Sequence, residues 1–287
     1  MGNLVKKMPM AGKKGDTIHI PKPVRGDVSQ KVEATAVTIQ ANTASELVVN
    51  IDQHWEYSML IEDITDVQAL SSMRRFYTDD AGYALARKVD SDLFALGTGL
   101  GDGGAFVIAN TPTDWVHSAC FYNDAGTTFS PYAEDTLVAA DVFSDSAFRA
   151  MCEQLDEQDN PMDNRNWVVC PNLKKQLLAI DRYVSTDFVN DKPVSSGYVG
   201  NVYGVDIYVS TNVPIIETTA QNLAGGQVRG NIMFHKDAFV FAEQVGVRTQ
   251  TQYKQEYLAD LFTADTLYGL QVYRPEGGVV LATSDDS

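Results

Sequence analysis

Basic side chains are scarce in this sequence. Its 287 residues carry 22 Lys and Arg against 38 Asp and Glu, a formal net charge of −16. Binding nucleic acid through its phosphates needs clustered Lys and Arg, so most of this surface repels DNA. Cysteine is scarce too. Cys120, Cys152 and Cys170 are odd in number and stand 32 and 18 residues apart. That fits neither a disulfide framework nor the short Cys-x-x-Cys spacing of zinc sites, so all three read as small buried residues in a reducing compartment. No apolar run approaches the roughly 18 residues that cross a bilayer, and no basic-then-apolar leader opens the chain. Folding in cytoplasm, away from any membrane, is expected. The four histidines, His19, His54, His117 and His235, form no close-spaced pair, and no Gly-x-Ser-x-Gly elbow is present. These absences predict no catalytic residue, no metal ligand and no cofactor.

Hydrophobic residues make up 44% of the chain. At this length roughly three quarters of the unfolded surface can be buried, enough for a self-sufficient core in one or two domains. The charge is unevenly spread. Residues 1–31 hold seven basic side chains (Lys6, Lys7, Lys13, Lys14, Lys22, Arg25, Lys31) against Asp16 and Asp27, so this segment carries +5 and the remainder −21. A cationic arm on an acidic body can dock on a neighbouring copy through complementary potentials, which makes Lys13, Lys14, Lys22, Arg25 and Lys31 the candidate inter-subunit contacts. A solvated flexible terminus is the alternative.

Residues 11–50 carry glycine and proline punctuation around three β-prone stretches: Thr17 to Pro21, Val32 to Ile39 and Leu47 to Ile51. They read as a long two-stranded excursion. An isolated hairpin is marginally stable in water, so it must pack either on a neighbouring subunit or on its own body. From Ile64 to Leu96 no proline occurs, and apolar or small residues recur at steps of three and four, a helix of roughly eight turns. Gly82 weakens it, and Gly97, Thr98 and Gly99 stop it. Residues 99–131 read as loop with short strands, and a second helix is predicted from about Ala140 to Gln158, ended by Asn160-Pro161. Trp167 to Cys170 reads as a buried strand. Pro171 then opens a helix, giving an α/β unit. Val205, Ile207 and Val209 alternate with polar neighbours as a half-buried strand, and Ile232 to Phe234 is another. A short helix is expected across Ala238 to Ala242, β-structure from Val247 to Tyr257, and a strand pair, Leu267 to Tyr273 with Val279 to Leu281, about a turn at Pro275 to Gly278.

Three local signals are weaker than they look. The glycine-rich Gly97 to Gly104 follows a helix where a phosphate-binding loop needs a strand, and it lacks a Lys-Ser/Thr ending. Asp156, Glu157, Asp159 and Asp163 lack the central Gly and distal Glu of a calcium loop and read as a solvated acidic turn. His235, at a strand end before Lys236-Asp237-Ala238, reads as a capping residue.

The order of elements, with Trp167-Val168-Val169-Cys170-Pro171, Gly197-Tyr198-Val199-Gly200-Asn201-Val202-Tyr203-Gly204 and Leu270-Gln271-Val272-Tyr273-Arg274-Pro275 at fixed places within it, resembles the tailed-phage major capsid proteins and their α+β HK97-like fold. The resemblance covers nearly all of the chain. It implies an N-terminal arm at 1–10, an extended loop at 11–50 and a peripheral domain at 51–135 with its spine helix at 64–97. An axial domain at 136–245 and a return to the peripheral domain at 246–287 complete it. It further implies self-assembly into pentamers and hexamers of an icosahedral head that encloses double-stranded DNA without sequence-specific binding, built in the host cytoplasm and retained in the virion. Expected partners are other copies of the chain, a portal protein, an optional cement or decoration protein and, because the region before Gly15 is too short for built-in scaffolding, a separate scaffolding protein. No pattern marks a covalent cross-link. An encapsulin-like compartment shares the architecture but packages proteins, and an intracellular α/β hydrolase or ligand-binding domain is the alternative from another class.

Overall fold

The proline-free stretch forms a long helix. The computed structural model describes all residues except 11–13, 23–27, 34–35, 38, 40–44, 63–72, 101–118, 124–127, 132–142, 181–182, 184–199, 218–226 and 286–287. Within it, Met73–Ala95 is α1, 23 residues long. The part of the predicted helix before Met73 lies outside the described residues. Ala81, Leu85, Leu93 and Phe94 are buried along α1, as the three-and-four spacing requires. The glycines after it close the helix through a 3-10 turn at Leu96–Gly99.

The strands, in chain order, are β1 (Lys6–Pro9), β2 (Thr17–Lys22), β3 (Ser45–Asn50), β4 (Gln53–Glu62), β5 (Ala119–Asn123), β6 (Thr128–Pro131), β7 (Arg165–Val169), β8 (Asn201–Val202), β9 (Val205–Val209), β10 (Ile215–Glu217), β11 (Gln227–His235), β12 (Phe239–Lys254), β13 (Ala259–Val272) and β14 (Gly278–Asp285). Two further helices are α2 (Asp145–Glu157) and α3 (Pro171–Leu177). Ser144 caps α2 by accepting from the Ala147 N–H at 3.4 Å, and Cys170 Sγ caps α3 by accepting from the Leu173 N–H at 3.4 Å, with Pro171 at its start.

Among the described residues these strands form three sheets. One has the order β1-β12-β13-β4; a second, eight-stranded, runs β6-β5-β14-β11-β7-β9-β8 with β10 on β11; the third is the hairpin β2-β3. The main core lies on the eight-stranded sheet, where Trp167, Val168 and Val169 of β7 meet Phe148, Met151 and Leu155 of α2, Leu173 and Leu177 of α3, and Leu93 and Phe94 of α1. Trp167 is fully buried between the rings of Phe143 and Phe148, at centroid distances of 5.4 and 5.1 Å. Two smaller clusters join the parts: Ile61, Ala81, Leu85, Phe262 and Ala264 fix α1 to the four-stranded sheet, and Ile20, Val49 and Ile51 fix the hairpin base to Val240, Ala242 and Tyr273.

Two expectations need correction. The short helix expected over Ala238 to Ala242 is a 3-10 turn at Lys236–Ala238 followed directly by β12, whose first four residues are all buried. A short continuous apolar run has no period, so it cannot separate a buried strand from a helix. The strands on either side of Pro275 do not pair with each other: β13 lies in the four-stranded sheet and β14 in the eight-stranded one, with a 3-10 corner at Pro275–Gly277 between them. The expected boundary at 245/246 therefore divides β12, and the segment 246–287 contributes to both sheets. Within the expected N-terminal arm at 1–10, Val5 is 1% exposed, and β1 pairs in parallel with β12.

Candidate assembly surface

The β2–β3 hairpin stands on β13 by backbone contact. A Cβ placed on Gly269 would lie 2.2 Å from the Asn50 carbonyl oxygen, so only glycine lets the two chains pass this closely. Beyond the last pair of that hairpin, Lys22 opposite Ser45, the chain exposes Val28, Val37 and Ile39, of which Ile39 is 88% exposed. The excursion thus packs on its own body at the base. Its apolar residues farther out gain no such cover.

The five basic candidates divide accordingly. Lys14 is exposed, Lys22 is half-exposed at the end of β2, and Lys31 is exposed with its ammonium donating to the Val32 carbonyl at 2.7 Å. Lys13 and Arg25 lie outside the described residues. Lys6 and Lys7 are committed within the chain, Lys6 close to Asp237 at 3.7 Å and over the Tyr273 ring, Lys7 to Asn3 at 2.7 Å.

Polar contacts tie α1 to the sheet beneath it. Tyr57 donates to Asp80 at 2.9 Å, Arg74 pairs with Asp260, and Tyr268 donates to Asp92 at 2.7 Å. Burial first, and then the Asp92 carboxylate, push the Tyr268 phenol well above its usual range, so it stays a hydrogen-bond donor. Lys88 bonds the other Asp92 oxygen at 2.6 Å and lies over the Trp55 ring at 4.2 Å. Across β12, β13 and β4, Arg248 forks onto Asp265 at 2.7 and 2.8 Å while His54 approaches the same carboxylate at 3.3 Å. The Arg248 guanidinium holds the Asp265 carboxyl below the usual range. At the β12–β13 turn, Tyr257 and Leu258 are 63% and 65% exposed, with Leu258 at φ 46°. On α1, Phe76 and Tyr83 also face outward.

Several of the described residues weighed for chemistry hold contacts within the fold. His235 accepts from the Asp237 N–H at 3.2 Å, the capping role expected of it. Asp156 pairs with the buried Arg165 at 2.6 Å, and Arg165 also donates to the Asn160 and Pro161 carbonyls, so the acidic turn is held by a cation of the chain itself. Cys170 is buried and Cys152 half-buried, with burial pushing the Cys152 thiol up to about 11. Among the described residues no group of three or more His, Cys, Asp or Glu side chains is placed to hold a metal ion. No helix among them is long and apolar enough to cross a membrane. Sequence reasoning missed Asn231, which is fully buried: it accepts from the Cys170 N–H at 2.7 Å and donates to Thr283 Oγ1 at 2.8 Å, stitching β7 to β14 across β11.

A long helix on a four-stranded sheet, a hairpin on a backbone pivot and a larger sheet with its own helices make up the HK97-like fold of capsid subunits. The family described as phage capsid protein matches residues 57–281, and the chain belongs to that family, a structural protein of the virion. Solved structures agree on the fold. Over 98% of this chain and 89% of its counterpart, it is 23% identical to a protein of Mycobacterium phage Che8, with a TM-score of 0.69. The capsid of cyanophage P-SCSP1u gives 19% identity and a TM-score of 0.71 over 97% and 86% of the two chains. For Ralstonia phage GP4 the values are 14%, 0.69, 99% and 88%. No curated protein matches the chain.

Proposed function

We propose that this chain assembles into pentamers and hexamers that tile an icosahedral head around double-stranded DNA, without catalysis and without sequence-specific contact to the DNA. The family match across 57–281 carries this reading. The excursion with exposed Val28, Val37 and Ile39 supports it, because these side chains gain cover only from another copy. In this reading 11–50 is the extended loop, 51–135 the peripheral domain, 136–245 the axial domain and 246–287 the return, except that β12 already enters the peripheral sheet at Phe239 and β14 goes back to the axial sheet. The acidic body suits a container wall, since a wall that bound phosphates would retain DNA by salt-dependent contacts. A separate scaffolding protein and a portal protein are the expected partners in the host cytoplasm, with a cement protein optional. Expression with a candidate scaffold should give closed particles or free capsomers in negative-stain micrographs. A chain that stays a monomer or small oligomer with every scaffold tried would overturn the reading.

A further inference from the structure

One edge of the four-stranded sheet is left open. β1 covers β12 only from Val240 to Glu243, and among the described residues no strand lies on that side of β12 from Val247 to Gln252. Residues Gly246 to Tyr253 are all exposed, although β13 buries Phe262, Ala264 and Asp265 directly opposite Thr251, Thr249 and Arg248. An open edge is a template for another strand, and soluble proteins usually guard it with charge or proline. The far edge of the same sheet is guarded in this way, since β4 carries Glu56 and Glu62. On β12, Arg248 is committed to Asp265 at 2.7 Å, and the residues that follow, Thr249-Gln250-Thr251-Gln252-Tyr253, hold neither charge nor proline. Uncharged, proline-free segments of this kind pair strand to strand.

We propose that β12 pairs antiparallel with β12 of a second copy, about a twofold axis beside Gln250. Paired residues must share a face of the sheet, so for two identical strands the axis lies beside a single residue and not between two. The β12–β13 ladder is regular from Arg248 to Lys254 and shifts register before it, between Val245 and Arg248. An axis at Thr251 sets Arg248 against Lys254 of the other copy, cation against cation. An axis at Thr249 runs the new ladder into the bulge at 245–248. At Gln250 the ladder keeps to the regular part: it matches Thr249 with Thr251 and Arg248 with Gln252, and sets Gln250 against itself. It also brings Val247 of one copy, 55% exposed, toward Tyr253 of the other, 46% exposed. Threonine pairs across strands and stacked amides both stabilise a sheet. The contact is isologous, so it joins two copies and stops, and it exists apart from the rings of the assembly reading.

Disulfide trapping in unassembled protein reads the register. Under mild oxidation Gln250→Cys should form covalent dimers at least tenfold faster than Thr249→Cys or Thr251→Cys alone. A mixture of the Thr249→Cys and Thr251→Cys proteins should cross-link where neither does by itself, because each residue meets the other across the axis. Wild type, with its own three cysteines, sets the background. Equal cross-linking at all three positions, or none above wild type at Gln250→Cys, overturns the pairing. Sedimentation equilibrium gives a second reading. Gln250→Lys sets two ammonium groups against each other across the axis, so it should weaken self-association of the unassembled protein at least tenfold while leaving the urea midpoint unchanged. A wild type without concentration-dependent self-association, or a Gln250→Lys protein that associates as well as wild type, overturns the proposal. Neither measurement needs a shell, so a failure to form shells bears on the assembly reading alone.

Discussion

Gly269 and Asp265 show two ways in which a single position governs the four-stranded sheet. At Gly269 the obstacle to a side chain is backbone, the Asn50 carbonyl, which cannot rotate away. Gly269→Ala should therefore destabilise the protein by about 1–3 kcal/mol, seen as a lower urea midpoint with an unchanged slope. Asp265 acts through charge. Its carboxyl has a lower pKa folded than unfolded, so its contribution is complete above about pH 4 and is lost as the pH falls from there through the folded value. Thermal melts of wild type should fall on that acid limb more steeply than those of Asp265→Asn; parallel curves would show that the Arg248 pair does not govern acid sensitivity. Neither residue stood out in the sequence, nor did Asn231. A glycine at a strand crossing and a carboxylate opposite an arginine become visible only once distant strands are in register. The His235 cap was legible because its partner lies two residues away.

Elements with a clear internal period or clear end signals were the legible part of the fold. A long proline-free stretch closed by glycines marks α1, α2 follows its apolar side from Ser144 onward, and β9 follows strict alternation. The 238–242 run failed as a helix because burial on every side erases the period that distinguishes the two conformations. The Pro275 turn failed as a hairpin because two apolar strands and a turn look alike whether they share a sheet or leave it. Within α1, Gly82 offers an unusually direct test, since nothing lies within 4 Å of where its Cβ would be. Gly82→Ala should stabilise the protein by about 1 kcal/mol, whereas Gly82→Pro should destabilise it by roughly 3 kcal/mol. The two variants should move the melting temperature in opposite directions. Agreement in sign would mean that this turn of the helix is set by something other than its own backbone.

For the molecule as a whole, the base of the hairpin belongs to the folded body, and the contacts proposed between copies for the excursion lie beyond it. Ile20, Val49 and Ile51 belong to the core, so removing the whole excursion would damage the body. Lys22 and Ser45 are cross-strand partners, and a two-residue Asn-Gly turn placed between them in exchange for 23–44 closes the hairpin with matching twist. Such a variant should keep the wild-type melting temperature within a few degrees yet form no shells by electron microscopy. Normal shells would show that 23–44 is dispensable for contact between copies.

The parallel pairing of β1 with β12 has a bearing on how the protein is made. Lys6 has Val240 as its register partner, and β12 in turn lies against β13 up to Val272. A ladder that spans so much of the chain is among the last to close, and β1 meets its native partner only after β12 has been made. Half-made chains on a polysome, crowded and close in space, lack the finished sheet on which the hairpin rests. The footing of the hairpin at Gly269 thus comes into being only when β13 has been made.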